Sequence, residues 1–169
     1  DKASYQTVYA GPRGAIAAPT AGLHFTEELL DKLRSDGVHI VTLTLHVGYG
    51  TFLPVRCADI RRHKMHSEQF TIGAESAKTI NSARKCGKRV VAVGTTCVRT
   101  LEYAVNSNGY VMAGSGRCDL FIIPGHLFKA VDAMVTNFHL PQSTLLMLVA
   151  AFAGRKNVLN AYREAISRK

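Results

Sequence analysis

Apolar and polar positions along the chain alternate between two periods, and the change from one to the other marks the elements. From Val38 to Val47 they alternate every second residue, with Leu43, Leu45 and Val47 on one face and Thr42, Thr44 and His46 on the other. This predicts a strand with one polar face. Glu27 to Ser35 and Glu75 to Cys86 carry helical spacing instead. Thr26 is placed to cap the first, Glu27 and Glu28 suit its positive end, and Gly37 and Gly87 mark the two exits. Arg89 to Val93 is a short apolar run that predicts a strand buried on both faces. Gly94-Thr95-Thr96 breaks it, and Cys97 to Asn106 reads as a further helix. Asn106 to Cys118, with glycines at 109, 114 and 116, reads as a loop or hairpin. Leu120 to Ile123 and Ala133 to Thr136 are further strands; Ser143 to Ala153 and Val158 to Ser167 are closing helices, with Ser143 and Asn157 as N-caps. Helix and strand alternate throughout, which predicts an α/β fold with a mixed or parallel sheet covered by helices.

At 169 residues the chain suits one compact domain, residues 1–169, and its 47% hydrophobic and 20% charged content is that of a soluble globular protein. The longest apolar run, Leu145 to Ala153, is too short to span a bilayer, and no charged-then-apolar leader opens the chain. The expectation is a cytoplasmic protein. Cys57, Cys86, Cys97 and Cys118 are widely spaced with no CxxC pair, the pattern of free thiols rather than of disulfides or a zinc site. The net charge of +9 changes the picture more. Its clusters at Arg56, Arg61, Arg62 and Lys64, at Arg84, Lys85, Lys88 and Arg89, and at Arg155, Lys156, Arg163, Arg168 and Lys169 point to a polyanion such as nucleic acid, or to a merely solvated surface.

Five blocks could carry chemistry. In the first, residues 18–25, a small-residue turn with His24 precedes a helix start and could take an anion; an ordinary turn is the opposing reading. In the second, residues 46–52, Gly48 and Gly50 flank Tyr49 after a strand and let backbone approach a ligand, without being a dinucleotide fingerprint. In the third, residues 63–68, His66 and Glu68 at i and i+2 share a strand face and could form an acid–base pair; the spacing of His63 and His66 argues against a metal. In the fourth, Thr95 and Thr96 at a helix start make an anion cradle to which Arg99 could add a guanidinium, unless Arg99 pairs with Glu102 at i+3. The fifth is Thr136, Asn137 and His139 followed by Pro141, Ser143 and an apolar helix, a polar cluster that is costly to bury unpaired.

These blocks together resemble the S-adenosylmethionine:tRNA ribosyltransferase-isomerase family of queuosine biosynthesis. The resemblance runs through YQTVYA at 5–10, AAPTAGLHF at 17–25, LHVGYGTFLPVR at 45–56, MHSE at 65–68, VGTTCVRTLE at 93–102 and PGHLFKAVDAMVTNFHLPQSTLLMLVAAFAG at 124–154. The family's chains are about twice as long. The resemblance therefore implies a C-terminal core fragment of a two-domain enzyme, lacking an N-terminal segment and an inserted β-barrel portion. It implies transfer and isomerisation of the ribosyl unit of S-adenosylmethionine onto 7-aminomethyl-7-deazaguanine at the tRNA wobble position, giving epoxyqueuosine with loss of adenine and methionine. S-adenosylmethionine is then a substrate, tRNA the partner, and no metal, redox cofactor or membrane is implied; the family is expected to be monomeric. On this basis His46, His66, Glu68 and His139 are assigned acid–base roles, Thr95, Thr96 and Arg99 the carboxylate or phosphate cradle, and His24 and Asn137 the orientation of ligand. Replacing His139 or Arg99 by alanine in an active parent is expected to remove orders of magnitude of turnover with the fold intact. Two other readings stand beside this one. One is an inactive fragment that only binds nucleic acid; the other is an α/β hydrolase or transferase using His66 and Glu68, against which the missing GxSxG elbow counts.

Overall fold

A computed structural model describes residues 5–11, 14–48, 55, 59–60 and 63–168. Tyr49 to Phe52 of the second block, Cys57, and Arg56, Arg61, Arg62 and Lys169 lie outside the described residues. A 3₁₀ turn, Thr20–His24, leads into α1 (Glu27–Ser35). Thr26 caps α1, its side-chain oxygen accepting from Leu29 N at 3.2 Å. Then follow β1 (Thr44–His46), β2 (Glu68–Ile72), α2 (Ala74–Lys85), β3 (Val91–Val93), α3 (Thr95–Ala104), β4 (Gly114–Cys118), β5 (Ala133–Val135), α4 (Thr144–Ala153) and α5 (Arg155–Ser167).

The strands form two small sheets, so the fold is mixed α/β, as the alternation predicts. One sheet is antiparallel in the order β1-β2-β4, and the other is the parallel pair β3-β5. Several expected boundaries move. Only Thr44–His46 of the alternating run 38–47 pairs as a strand, and 120–123 is irregular although Ile122 is fully buried. Val91 is 51% exposed, so β3 is covered on one face rather than on both. β4 falls where a loop or hairpin was expected. It pairs with β2 through its backbone, and Gly116 suits the position because a Cβ there would crowd the Phe70 ring at 3.1 Å.

The core gathers Ile72, Val98, Val111, Cys118, Ile122 and Leu148, all buried almost completely. Two side chains act as backbone substitutes around it. Asn81 on α2 donates to Val111 O and accepts from Val111 N, both at 2.8 Å. Glu102 on α3 accepts from the backbone N–H groups of Lys129, Ala130 and Val131 at 2.8, 2.8 and 3.0 Å, with His126 Nε2 at 3.6 Å. Glu102 thus clamps the segment that leads into β5, and is not a partner for Arg99. Asp132 Oδ2 accepts from Val90 N at 2.7 Å and helps set β3 against β5. Cys86, Cys97 and Cys118 are free thiols, and burial pushes the Cys97 thiol up to about 11. Among the described residues no helix is long and apolar enough to cross a membrane.

Candidate active site

A cavity of about 280 Å³ opens beside the parallel pair. Its walls come from segments far apart in sequence: Ala18 to Ala21, Val47, Gly94 to Thr96, and Thr136 to Leu140 with Ser143 and Leu145. Four of the five sequence blocks therefore meet at one place. The parallel strands explain how, because β3 and β5 end side by side. Gly94 N donates to Val135 O at 2.9 Å, so the turn into α3 and the loop after β5 leave the sheet together. This is the side of a parallel sheet, at the carboxyl ends of its strands, where ligands bind in α/β folds.

The floor of the cavity is the start of α3. Gly94, at φ 92°, turns the chain in a conformation that favours glycine, and no side chain caps the helix. Thr95 is buried and Thr96 half-buried, and both line the cavity. The uncapped N–H groups of this helix end face an anion favourably. One wall is the loop 136–140. Asn137 Oδ1 accepts from His24 Nε2 at 3.0 Å, tying this loop to the 3₁₀ turn. Thr136 Oγ1 and His139 Nε2 share a hydrogen bond at 3.0 Å, and burial holds the His139 imidazole below its usual pKa of 6.5. The His139 backbone is gripped as well: its N–H donates to Tyr162 Oη at 2.6 Å, and Tyr162 Oη donates to its carbonyl at 2.9 Å. Ser143 closes the loop by capping α4, accepting from Leu146 N at 3.1 Å and donating to Leu140 O at 2.7 Å.

The remaining expected residues lie elsewhere. Arg99 points from α3 into the interior, where its guanidinium donates to Glu68 of β2; the two side chains are 3% and 4% exposed. The pair replaces both the His66–Glu68 couple and the reach of Arg99 toward the cradle. His66 is exposed, outside β2 and away from the cavity lining. His46, at the end of β1, is not among the lining residues, although its neighbour Val47 is. Gly14 packs against the His46 ring so closely that a Cβ would lie 2.6 Å from Nδ1. Three residues at the site were not singled out from sequence as site residues: Tyr162, Phe138 and Ser143. Ser143 carried a capping signal, whereas Tyr162 acts across 23 positions and leaves no local pattern. No group of three or more His, Cys, Asp or Glu among the described residues could hold a metal ion.

A family model described as queuosine biosynthesis protein matches residues 1–169. The S-adenosylmethionine:tRNA ribosyltransferase-isomerase of Syntrophotalea carbinolica is 58% identical over 169 residues, 100% of this chain and 49% of that one. The protein of the same name from Caldanaerobacter subterraneus subsp. tengcongensis is also 58% identical, over 100% of this chain and 50% of that one. The crystal structure of the S-adenosylmethionine tRNA ribosyltransferase from Thermotoga maritima superposes with a TM-score of 0.71 at 47% identity, covering 88% of this chain and 46% of that chain. The chain thus spans about half the length of the relatives it matches.

Proposed function

The chain belongs to the queuosine biosynthesis protein family, and from that premise we propose that residues 1–169 form one catalytic-core domain of an S-adenosylmethionine:tRNA ribosyltransferase-isomerase. The substrates would be S-adenosylmethionine and a tRNA bearing 7-aminomethyl-7-deazaguanine at the wobble position. The ribosyl unit moves to the aminomethyl nitrogen and isomerises to give epoxyqueuosine, while adenine and methionine leave; such a reaction belongs in the cytoplasm, with tRNA. The observation that carries the reading is the convergence of four separated motifs on one cavity that holds a half-buried histidine and an uncapped helix start.

The chemistry makes three demands. A proton next to the sulfonium must be removed, adenine must be assisted in leaving, and the methionine carboxylate must be held. His139 is the acid–base group of this reading. Its burial favours the neutral imidazole, which can accept a proton at neutral pH. The start of α3, with Thr95 and Thr96, takes the carboxylate. Asn137, held in place by its bond to His24, orients the ligand in the cavity. Arg99 and Glu68 act as positioning residues that fix α3 against β2. His66 and His46, being outside the lining, are assigned no proton transfer.

Adenine release from S-adenosylmethionine, measured with and without the modified tRNA, tests the proposal. Release that needs the modified base, and that falls roughly 10²- to 10⁴-fold in His139→Ala, is the expected result. A second reading, nucleic-acid binding without turnover, is favoured by the charge of +9 alone. Its result would be tRNA affinity that falls steeply with salt, by about 0.7–0.9 log units per log unit of salt for each phosphate neutralised, with no adenine released under conditions where a full-length relative is active.

A further inference from the structure

We propose that Phe138 is a stacking platform for a nucleobase at the mouth of the cavity. The proposal rests on the reading that the cavity serves S-adenosylmethionine and tRNA. Phe138 lines the cavity between Asn137 and His139, yet it is 63% exposed. Leu140, also in the lining, is 75% exposed. A large apolar ring held open at the rim of the cavity leaves most of its surface in water, where it is free to meet a ligand. The Tyr162 ring meets it at 4.7 Å between centroids with planes at 86°. At right angles, whichever ring supplies the edge, at least one face of Phe138 is left uncovered by Tyr162. The Tyr162 hydroxyl fixes the next residue through both backbone groups of His139, so the ring is presented at a set position rather than on a loose loop.

A flat apolar face beside hydrogen-bonding groups fits a planar heterocycle, whose π-face stacks on it while its edge meets Thr136, Asn137 or His139. Two sources could supply the ring. One is the adenine of S-adenosylmethionine. The other is the 7-deazaguanine of the tRNA, because a base undergoing chemistry leaves its own stack and needs a replacement for it.

The test is calorimetric binding to the wild-type chain and to Phe138→Leu and Phe138→Trp. The ligands are S-adenosylmethionine, an anticodon stem-loop RNA with 7-aminomethyl-7-deazaguanine at the wobble position, and the same RNA with guanine there. Leucine keeps the apolar bulk and removes the π-face, and tryptophan restores one. We expect Phe138→Leu to lose roughly ten- to a hundredfold in affinity for one ligand and Phe138→Trp to regain it, with thermal unfolding unchanged. Loss confined to S-adenosylmethionine identifies adenine as the stacked ring; loss confined to the modified RNA identifies the wobble base. Wild-type binding that Phe138→Leu leaves within about twofold for every ligand overturns the platform alone. Failure of the wild-type chain to bind any of the three overturns the functional reading beneath it.

Discussion

His139 shows how burial sets both a reactivity and a dependence on pH. The imidazole is half-buried and its folded pKa lies below 6.5, whereas in the unfolded chain it titrates at the ordinary value. As pH falls below about 6.5, the unfolded state takes up a proton that the folded state refuses. The stability owed to neutral His139 is therefore complete above that pH, and is lost as pH falls through 6.5 toward the lower folded value. Melting temperature measured from about pH 7.5 down to about pH 5 should fall more steeply for the wild type than for His139→Gln. Equal slopes would show that His139 is not the group concerned. Arg99 carries a different lesson. Its charge is matched inside the protein by Glu68, and removing one member of such a pair leaves an uncompensated buried charge. Arg99→Ala should therefore lower stability by about 3–5 kcal/mol in urea denaturation, contrary to the expectation of an intact fold. Loss of turnover in that variant would then not identify a catalytic arginine. A variant that unfolds like the wild type would return Arg99 to the list of reagents.

At the scale of elements, helices were legible and strand pairing was not. α4 begins where Ser143 caps it, because the capping signal lies within one turn of sequence. Ser143→Ala removes that bond and also the donor to Leu140 O at a buried position. It should cost about 1–2 kcal/mol of stability by chemical denaturation; a change under about 0.3 kcal/mol would mean the cap contributes nothing. α5 starts at Arg155, earlier than expected. Gly154, at φ 83°, makes the bend in a single residue, and Asn157 donates back to Ala153 O at 2.9 Å instead of capping its own helix. β4 escaped notice for a physical reason. GSGRC has almost no apolar pattern, since its role in β4 is to offer backbone and to leave room for Phe70. The alternation at 38–47 promised a long strand, but side-chain pattern alone does not supply a pairing partner.

For the whole molecule, what the sequence carried was the set of motifs and their order, and what it withheld was which of them face the same space. Thr95, Thr96, Asn137 and His139 line one cavity, to which His24 is joined through Asn137, whereas Glu68 and Arg99, equally prominent in sequence, turn to each other in the core. Nothing in their spacing distinguishes the two outcomes, because burial and direction are decided by packing between distant segments. The grip of Tyr162 on His139 extends this dependence to the last helix. The loop 136–140 has its polar backbone at its centre satisfied by a hydroxyl on α5, so the loop's order is coupled to that helix. Whenever α5 peels away, the His139 amide and carbonyl are left without that partner. The shape of the cavity thus shares its opening free energy with a helix that lies outside it, and the amide proton of His139 keeps the exchange timetable of α5 rather than that of a surface loop.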